Sequence, residues 1–204
     1  MNEMRTFIIG YGSLMNVASR NLTGSTGDSF PMLLGGYRRE WGVPVNALGK
    51  PTHGWTAMAV AESYQSRIAV VAMEVDESAL IRFDVRERGY RRIAVPASQC
   101  ERVDGKGIDA ITFFMYVPEI SVKPPTLTHP IALTYIDVIA SGALQVSPQF
   151  AKNFFEECEG WTIVLDDRAN PQYESAVKVS DEHRSYIDVQ LKRLNVRMLQ
   201  LSKI

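Results

Sequence analysis

Glu87 is an acidic residue on what the sequence predicts to be the buried face of a helix. If residues 77–88 are helical, Glu87 lies seven residues after Leu80 and four after Phe83, in line with the apolar side chains. Burial of a carboxylate and the negative C-terminal end of a helix both disfavour ionisation, so we expect a raised pKa. A carboxyl group tuned in this direction can accept and donate protons near neutral pH.

The same placement also has a structural explanation, because arginines surround Glu87 in the sequence. Arg86, Arg88, Arg91 and Arg92 are all close enough along the chain to pair with its carboxylate. Ion pairs that serve only stability also shift the pKa values of carboxyl groups. The helix pattern alone therefore leaves two interpretations open, a catalytic acid/base and a structural ion pair.

A second segment with chemical potential is Gly10-Tyr11-Gly12-Ser13-Leu14, which follows the first apolar run of the chain. Two glycines one residue apart allow the backbone to turn sharply and to expose its N–H groups. Such groups bind anionic oxygens, so the carboxylate of a small ligand would fit here. The segment lacks the third glycine of a dinucleotide fingerprint and the Gly-Lys-Ser/Thr of a P-loop. By itself it is also compatible with an ordinary tight turn.

Other catalytic chemistries have little support in the sequence. The histidines, His53, His129 and His183, show no metal-ligand spacing, so neither a metal site nor a cofactor is predicted. Cys100 and Cys158 have no neighbouring base in the sequence that would activate a thiol. Two widely spaced cysteines do not form a disulfide framework, and we expect both thiols to be free, as in a reducing compartment.

The composition is that of a globular protein. The chain has 204 residues, 46% of them hydrophobic and 22% charged, which is enough to bury a core without a metal or a disulfide. Its net charge of −1 shows no excess of positive charge that would favour binding to nucleic acid or to an anionic membrane. No stretch approaches the roughly 20 apolar residues of a membrane span, and no signal peptide is evident. We therefore expect a cytoplasmic protein without nucleic-acid or membrane partners.

Strands in the first half of the chain and helices in the second half must position these residues. Strands are predicted for residues 6–9, 32–41, 90–95 and 111–117, and a hairpin for residues 55–61 and 68–75 with its turn near Tyr64-Gln65-Ser66. Asp76 is a candidate N-cap for the helix that carries Glu87, and residues 131–144 and 148–157 are predicted to be two further helices. This order favours an α+β fold with a mixed or mainly antiparallel sheet that could close into a small barrel.

The C-terminal segment, residues 180–204, carries an apolar stripe at helical spacing. The stripe consists of Ile187, Leu191, Leu194, Met198 and Leu201. It predicts a helix that packs either on the body of the protein or on a second subunit, so a homodimer is one interpretation. The predicted domain organisation is a main domain at residues 1–175 followed by a C-terminal helical extension at residues 176–204.

Together, the two chemical segments resemble the γ-glutamylcyclotransferase-like family, and in particular its ChaC-like, bacterial branch. The run Tyr11-Gly12-Ser13-Leu14 resembles the signature loop after the first strand of that family. Residues 84–92, with the sequence DVRERGYRR, resemble the segment that carries its catalytic glutamate. Further similarity lies at residues 36–39, 135–137, 141–143, 150–155, 161 and 167–171.

The resemblance implies a compact mixed α/β fold around a small β-barrel, and an enzyme that releases 5-oxoproline from a γ-glutamyl compound. In this reaction the α-amine of the substrate attacks its own γ-carbonyl and expels an amine. Glu87 would then be the general acid/base, and the backbone of Tyr11, Gly12, Ser13 and Leu14 would hold the α-carboxylate of the substrate.

Two tyrosines are further candidates for contact with the substrate. Tyr90 or Tyr135 would orient the substrate or carry a proton, although each of them is more often a core aromatic. The leaving amine is not fixed by the sequence and could be an amino acid, a dipeptide such as Cys-Gly, a polyamine or an amine on a larger metabolite. A single residue, Arg88, separates Glu87 from Gly89, whereas some ChaC-like members have a longer spacing. The glycine-rich C-terminal segment of ChaC-like enzymes is not evident either, which argues against glutathione as the substrate.

A non-catalytic function is the alternative from a different class. The same fold could serve as a regulatory module that binds a γ-glutamyl group or a carboxylate without turnover. Glu87 argues against this alternative, because a pocket that binds an anionic amino acid would have positive or neutral side chains at its base rather than a carboxylate.

Overall fold

A curled sheet of seven strands forms the body of the protein in a computed structural model that describes residues 4–24, 26–47, 49–108 and 111–200. Its strands are β1 (Arg5–Gly10), β2 (Ser29–Ala47), β3 (Lys50–Glu74), β4 (Tyr90–Val95), β5 (Cys100–Arg102), β6 (Ile111–Pro118) and β8 (Cys158–Glu159). The order across the sheet is β4-β6-β1-β3-β2-β5, and β8 pairs with β2. The pairs β1–β6 and β2–β8 are parallel and the others antiparallel, which confirms the predicted mixed sheet.

Five helices and a small second sheet complete the described fold. The helices are α1 (Val17–Asn21), α2 (Glu77–Arg86), α3 (Leu133–Val146), α4 (Pro148–Glu157) and α5 (Asp181–Arg193). The second sheet consists of β7 (Ile131–Ala132), β9 (Ile163–Asp166) and β10 (Arg197–Gln200), all parallel. These positions confirm the predicted α+β class and the helices at α2, α3 and α4. No helix among the described residues is long and apolar enough to cross a membrane.

The predicted hairpin within residues 55–75 is wrong, because β3 is one strand of 25 residues. Both halves of β3 pair with β2 rather than with each other. The register passes from Gly35 opposite Arg67 to Tyr37 opposite Glu62, so residues 63–66 face Gly36 alone. The turn-like residues Tyr64-Gln65-Ser66 therefore form a bulge, and Gly36 accommodates it with a φ of 86°.

The predicted C-terminal helix is correct at its start and wrong at its end. Helix α5 buries Ile187 and Leu191, as the apolar stripe predicted, but it stops after Arg193. Asn195 has a φ of 53°, a left-handed conformation that commonly ends helices. Met198 then lies in strand β10, which pairs with the edge of β9, and Leu201 lies outside the described residues. The domain boundary near residue 175 stays a prediction, and its outer limits, residues 1–3 and 201–204, also lie outside the description.

Helix α2 covers one face of the sheet and thereby carries Glu87 to its final position. Its N-cap is Asp76, as predicted, whose carboxylate accepts a hydrogen bond from the Ala79 N–H at 2.6 Å. Phe83 and Ala79 are buried against Ile8 of β1 and neighbouring apolar residues of β3 and β6. The helix therefore ends beside the carboxyl end of β1, where the Gly10–Leu14 segment begins.

Helix α3 supports the same segment from the other side, and it approaches closely because of a glycine. A Cβ atom at Gly142 would lie 2.6 Å from the Asn16 nitrogen and 2.8 Å from the Met15 carbonyl carbon. Asn16 fastens the contact, since its side-chain amide donates to the Val138 carbonyl at 3.1 Å and to the Ser141 hydroxyl at 2.9 Å. The backbone that follows Gly12 is thus held directly against the backbone of α3.

Replacing Gly142 with Ala should destabilise the protein although alanine is the better helix former. The new methyl group would collide with backbone atoms that cannot rotate away, at a cost of about 1–3 kcal/mol. This cost outweighs the ~1 kcal/mol gained in helix propensity. Thermal unfolding monitored by circular dichroism should show a lower Tm. Gly35→Ala is the matched control, because its Cβ would meet nothing closer than 3.7 Å. Equal Tm values for the two variants would contradict this account.

Candidate active site

A recess at the carboxyl end of β1 brings together all seven residues that the sequence singled out. Its lining includes Tyr11, Gly12, Ser13, Leu14, Glu87, Tyr90 and Tyr135. Met58 and Tyr116 also line it, and no sequence motif indicated them. The recess has about 330 Å³ of empty space when its open mouth is included. The roles of the seven residues stay predictions, but their proximity is a structural fact.

The Gly10–Leu14 segment turns back on itself at the end of β1. A Cβ at Gly10 would lie only 2.8 Å from the Leu14 Cβ, so the turn needs glycine at this position. Ser13–Met15 then form a single 3-10 turn, which the Met15 N–H closes by donating to the Gly12 carbonyl at 3.0 Å. The N–H groups of Gly12, Ser13 and Leu14 have no acceptor among the described residues. We call this segment the N–H turn; it is suited to hold an anionic oxygen.

Glu87 ends helix α2 and projects into the recess. The helix stops at Arg86, two residues earlier than predicted, and Glu87 is its C-cap, with its N–H donating to the Phe83 carbonyl at 2.9 Å. Gly89, with a φ of 90°, then turns the chain into β4. The Glu87 side chain is 18% exposed. Burial raises the pKa of Glu87, and the nearby positive charge of Arg86 partly opposes that rise.

Of the four arginines that could pair with Glu87, Arg86 alone does so among the described residues. Its Nε lies 3.4 Å from Glu87 Oε1, whereas Arg92 pairs with Asp84 at 2.8 Å. The structural ion pair that the sequence left open is therefore present. It does not cancel the effect of burial, because the pKa of Glu87 is still raised.

The tyrosines around Glu87 are neutral hydrogen-bonding groups. Burial raises the pKa values of Tyr11, Tyr90 and Tyr135 well above that of a free phenol, and the charge of Glu87 adds to each rise. Tyr11 Oη donates to the Tyr116 carbonyl at 2.7 Å, and Tyr90 Oη donates to the Met58 carbonyl at 2.9 Å. These phenols cannot serve as bases near neutral pH, whereas the carboxyl group of Glu87 in the same lining can accept a proton when it is ionised.

Tyr135 belongs to the aromatic core and to the recess at once. Its ring packs against Trp55 and Tyr173 with centroid distances of 4.8 and 4.7 Å. Its hydroxyl reaches the N–H turn, since a Cβ at Gly12 would lie 3.2 Å from Tyr135 Oη. Asp167 holds the chain near Tyr173 in place by accepting bonds from the Thr134 N–H at 2.8 Å and the Gln172 N–H at 2.7 Å.

A fully buried arginine, Arg39, adds positive charge behind the recess. It bonds to the Ala69 carbonyl and stacks on the Phe154 ring with its guanidinium carbon 5.3 Å from the centroid. No carboxylate of the described residues lies within 4.0 Å of it. Its charge lowers the pKa of Tyr11 against the larger effect of burial. Its charge acts on Tyr11 and Tyr135 of the recess and also on the nearby carboxyl group of Glu157.

The described part of the chain shows no arrangement of side chains suited to a reactive thiol or to a metal ion. Cys100 and Cys158 are free, as predicted, and both are buried. Burial raises the pKa of the Cys100 thiol to about 12, and that of Cys158 is raised as well, so both stay protonated at neutral pH. No group of three or more His, Cys, Asp or Glu side chains within the described ranges is arranged to hold a metal ion.

Comparisons with known proteins agree with the fold. No protein-family model matches the sequence, and no curated protein matches it. Among solved structures, uncharacterized protein loc79017 from Homo sapiens superimposes with a TM-score of 0.56 at 20% identity, over 91% of this chain and 99% of that one. A γ-glutamyl cyclotransferase gives a TM-score of 0.56 at 19% identity with the same coverage. YkqA from Bacillus subtilis gives 0.51 at 20% identity, over 72% of this chain and 52% of that one.

These superpositions cover nearly the whole chain in the first two cases. They show that the chain has the γ-glutamyl cyclotransferase-like fold, a curled half-barrel sheet with helices, as the sequence resemblance implied. At such low identity the likeness is one of fold.

Replacing Glu87 with Gln should raise the Tm at pH 8 and leave it nearly unchanged at pH 4. The pKa of Glu87 is higher in the folded state than in the unfolded chain, so ionisation costs the folded state stability. This cost is absent below the ordinary carboxyl pKa of ~4.3 and complete once the pH exceeds the folded-state value. Thermal melts across this pH range measure the difference between the two proteins.

The matched control for this experiment is Glu62→Gln, which changes an exposed carboxylate on β3. Its Tm should follow that of the wild type at both pH values. A loss of stability in Glu87→Gln at pH 8 would show that the ion pair with Arg86 outweighs burial, contrary to the account given above.

Proposed function

We propose that this protein is a γ-glutamylcyclotransferase that releases 5-oxoproline from a γ-glutamyl compound, and that it belongs with the ChaC-like, bacterial members of the family. The observation that carries the proposal is the meeting of two features in one recess. A partly buried carboxyl group with a raised pKa, Glu87, lines the same recess as the unpaired N–H groups of Gly12, Ser13 and Leu14. The first can move a proton and the second can hold a carboxylate, and this reaction needs both.

Substrate binding follows from the charges of the site. The N–H turn would bind the α-carboxylate of the γ-glutamyl group, and the buried cation Arg39 would favour its negative charge from behind. With the carboxylate fixed, the glutamyl chain must fold back so that its α-nitrogen approaches its own γ-carbonyl. Holding two reacting atoms in this geometry supplies a large part of the rate enhancement in intramolecular reactions.

Glu87 would carry out both proton transfers. As a carboxylate it removes a proton from the α-ammonium group, because only the neutral amine is a nucleophile. The nitrogen then attacks the γ-carbonyl carbon, which closes the five-membered ring. The protonated Glu87 gives its proton to the leaving nitrogen as the old C–N bond breaks. The ring nitrogen loses its second proton to the freed amine, which departs as an ammonium ion, so the lactam is neutral and Glu87 is again a carboxylate. The raised pKa of Glu87 brings it closer to that of its partners, which favours transfer in both directions.

The two candidate tyrosines differ in what they can offer a substrate. The Tyr90 hydroxyl already donates to the Met58 carbonyl at 2.9 Å, so it would have to break this hydrogen bond in order to donate to a substrate. The Tyr135 hydroxyl donates to no acceptor among the described residues and lies beside Gly12. Tyr135 is therefore the better donor to the oxygen that becomes negative during ring closure, and Tyr90 serves as a wall of the site.

Purified protein should release 5-oxoproline from at least one member of a panel of γ-glutamyl dipeptides, glutathione and γ-glutamylamines. Glu87→Gln should reduce kcat/KM by roughly 100- to 10,000-fold, the usual contribution of a general acid/base. Chromatographic quantification of 5-oxoproline measures both effects. Glu62→Gln, which changes an exposed carboxylate, should retain the wild-type rate.

The outcomes of this assay separate the classes of function. Binding of a panel member without turnover would favour the regulatory binding module over an enzyme. If Glu87→Gln still turns over the substrate, the protein is an enzyme of this class, but Glu87 is not its acid/base. The substrate with the highest kcat/KM would identify the class of leaving amine.

A further inference from the structure

Arg86 connects the candidate catalytic carboxyl group with the segment that would bind the substrate. It is the last residue of α2, and its side chain is 15% exposed. Its Nη1 donates to the Ser19 carbonyl at 2.7 Å and to Thr23 Oγ1 at 2.8 Å. Its Nη2 donates to Ser19 Oγ at 2.9 Å and to Ser13 Oγ at 3.3 Å. Its Nε faces Glu87 Oε1 at 3.4 Å.

These contacts reach three separate parts of the chain. Ser13 belongs to the N–H turn, Ser19 to α1 and Thr23 to the loop after α1, and none of them is near Glu87 in sequence. One guanidinium group therefore fixes the distance between the N–H turn and the end of α2.

We propose that Arg86 is a positioning residue, which holds the Glu87 carboxylate and the N–H turn in the relative placement that ring closure requires. The catalytic meaning of this inference rests on the proposed function, whereas the link between the two segments rests on geometry alone. Arg86 does not itself line the recess but contacts two residues that do, Glu87 and Ser13, so it acts through them.

The geometry calls for arginine rather than for a positive charge alone. A guanidinium group presents five N–H donors in a planar fork, and here all three of its nitrogens face acceptors. A lysine ammonium is a single point on a flexible stem and cannot span Ser13, Thr23 and Glu87 at once. Arg86→Lys would keep the charge and lose part of the link, and Arg86→Met would lose both.

The charge of Arg86 also bears on the titration of Glu87. The other groups that face Glu87 are the neutral phenols of Tyr11 from the N–H turn, Tyr90 from β4 and Tyr135 from α3. Arg86 lowers the pKa of Glu87 against the effect of burial. Without it, the carboxylate would be harder to form, so a reaction that begins with the carboxylate would need a higher pH.

The test combines a direct titration with kinetics. The carboxyl carbon of Glu87, observed by ¹³C NMR and assigned by its loss in Glu87→Gln, reports its protonation without reference to any activity. In Arg86→Met we expect its titration midpoint to move to higher pH and the acidic limb of kcat/KM to move with it. In Arg86→Lys we expect a midpoint closer to that of the wild type and a kcat reduced about 10- to 100-fold, typical of small misplacements.

Arg88→Met is the matched control, because it removes an equal charge from the other sequence neighbour of Glu87. Arg88 is exposed, and this variant should titrate and turn over like the wild type. A folded Arg86→Met with the wild-type midpoint and wild-type kcat would overturn the proposal. If Arg86→Met does not fold, a wild-type kcat in Arg86→Lys would overturn it. If the wild type itself cleaves no γ-glutamyl compound, the proposed function fails, and the NMR midpoint still tests the link.

Discussion

The withdrawal of one carboxyl group from water is the constraint on which the rest of the site depends. A partly buried Glu87 is tolerable because one guanidinium, that of Arg86, lies beside it, and its pKa stays raised because that single charge does not cancel the effect of burial. A stronger ion pair would lower the pKa of Glu87 and keep it ionised, whereas apolar neighbours alone would raise the pKa and keep it protonated. The fold supplies the balance by ending α2 beside the carboxyl end of β1.

Close packing at two glycines, together with the side chain of Asn16, holds the opposite side of the recess. Gly10 permits the tight reversal after β1, and Gly142 lets α3 approach the residues that follow the N–H turn. Close-packed backbone has few ways to relax, so the unpaired N–H groups of the turn are held in place without a ligand. Such preorganised donors stabilise charge without a further cost of reorganisation during the reaction.

The sequence predicted what depends on local rules and missed what depends on distant pairing. The face of α2 followed from the spacing of Phe83 and Glu87. By contrast, the turn-like residues 64–66 became a bulge because β2 is long enough to pair with both halves of β3. Met198 fitted the helical stripe by spacing, yet the edge of β9 was available to pair with it. Tyr116 entered the site through a contact with Tyr11, 105 residues away in sequence, which no local pattern reveals.

An isotope-transfer experiment tests the central claim, that this site closes a ring within its substrate. A γ-glutamyl dipeptide or amine that the protein consumes is prepared with ¹⁵N in its α-amino group and ¹³C in its γ-carbonyl group, and the reaction is run in H₂¹⁸O. The account predicts 5-oxoproline with a direct ¹⁵N–¹³C bond and no ¹⁸O. Glutamate that carries ¹⁸O in its γ-carboxyl group would instead show attack by water, and it would contradict the account.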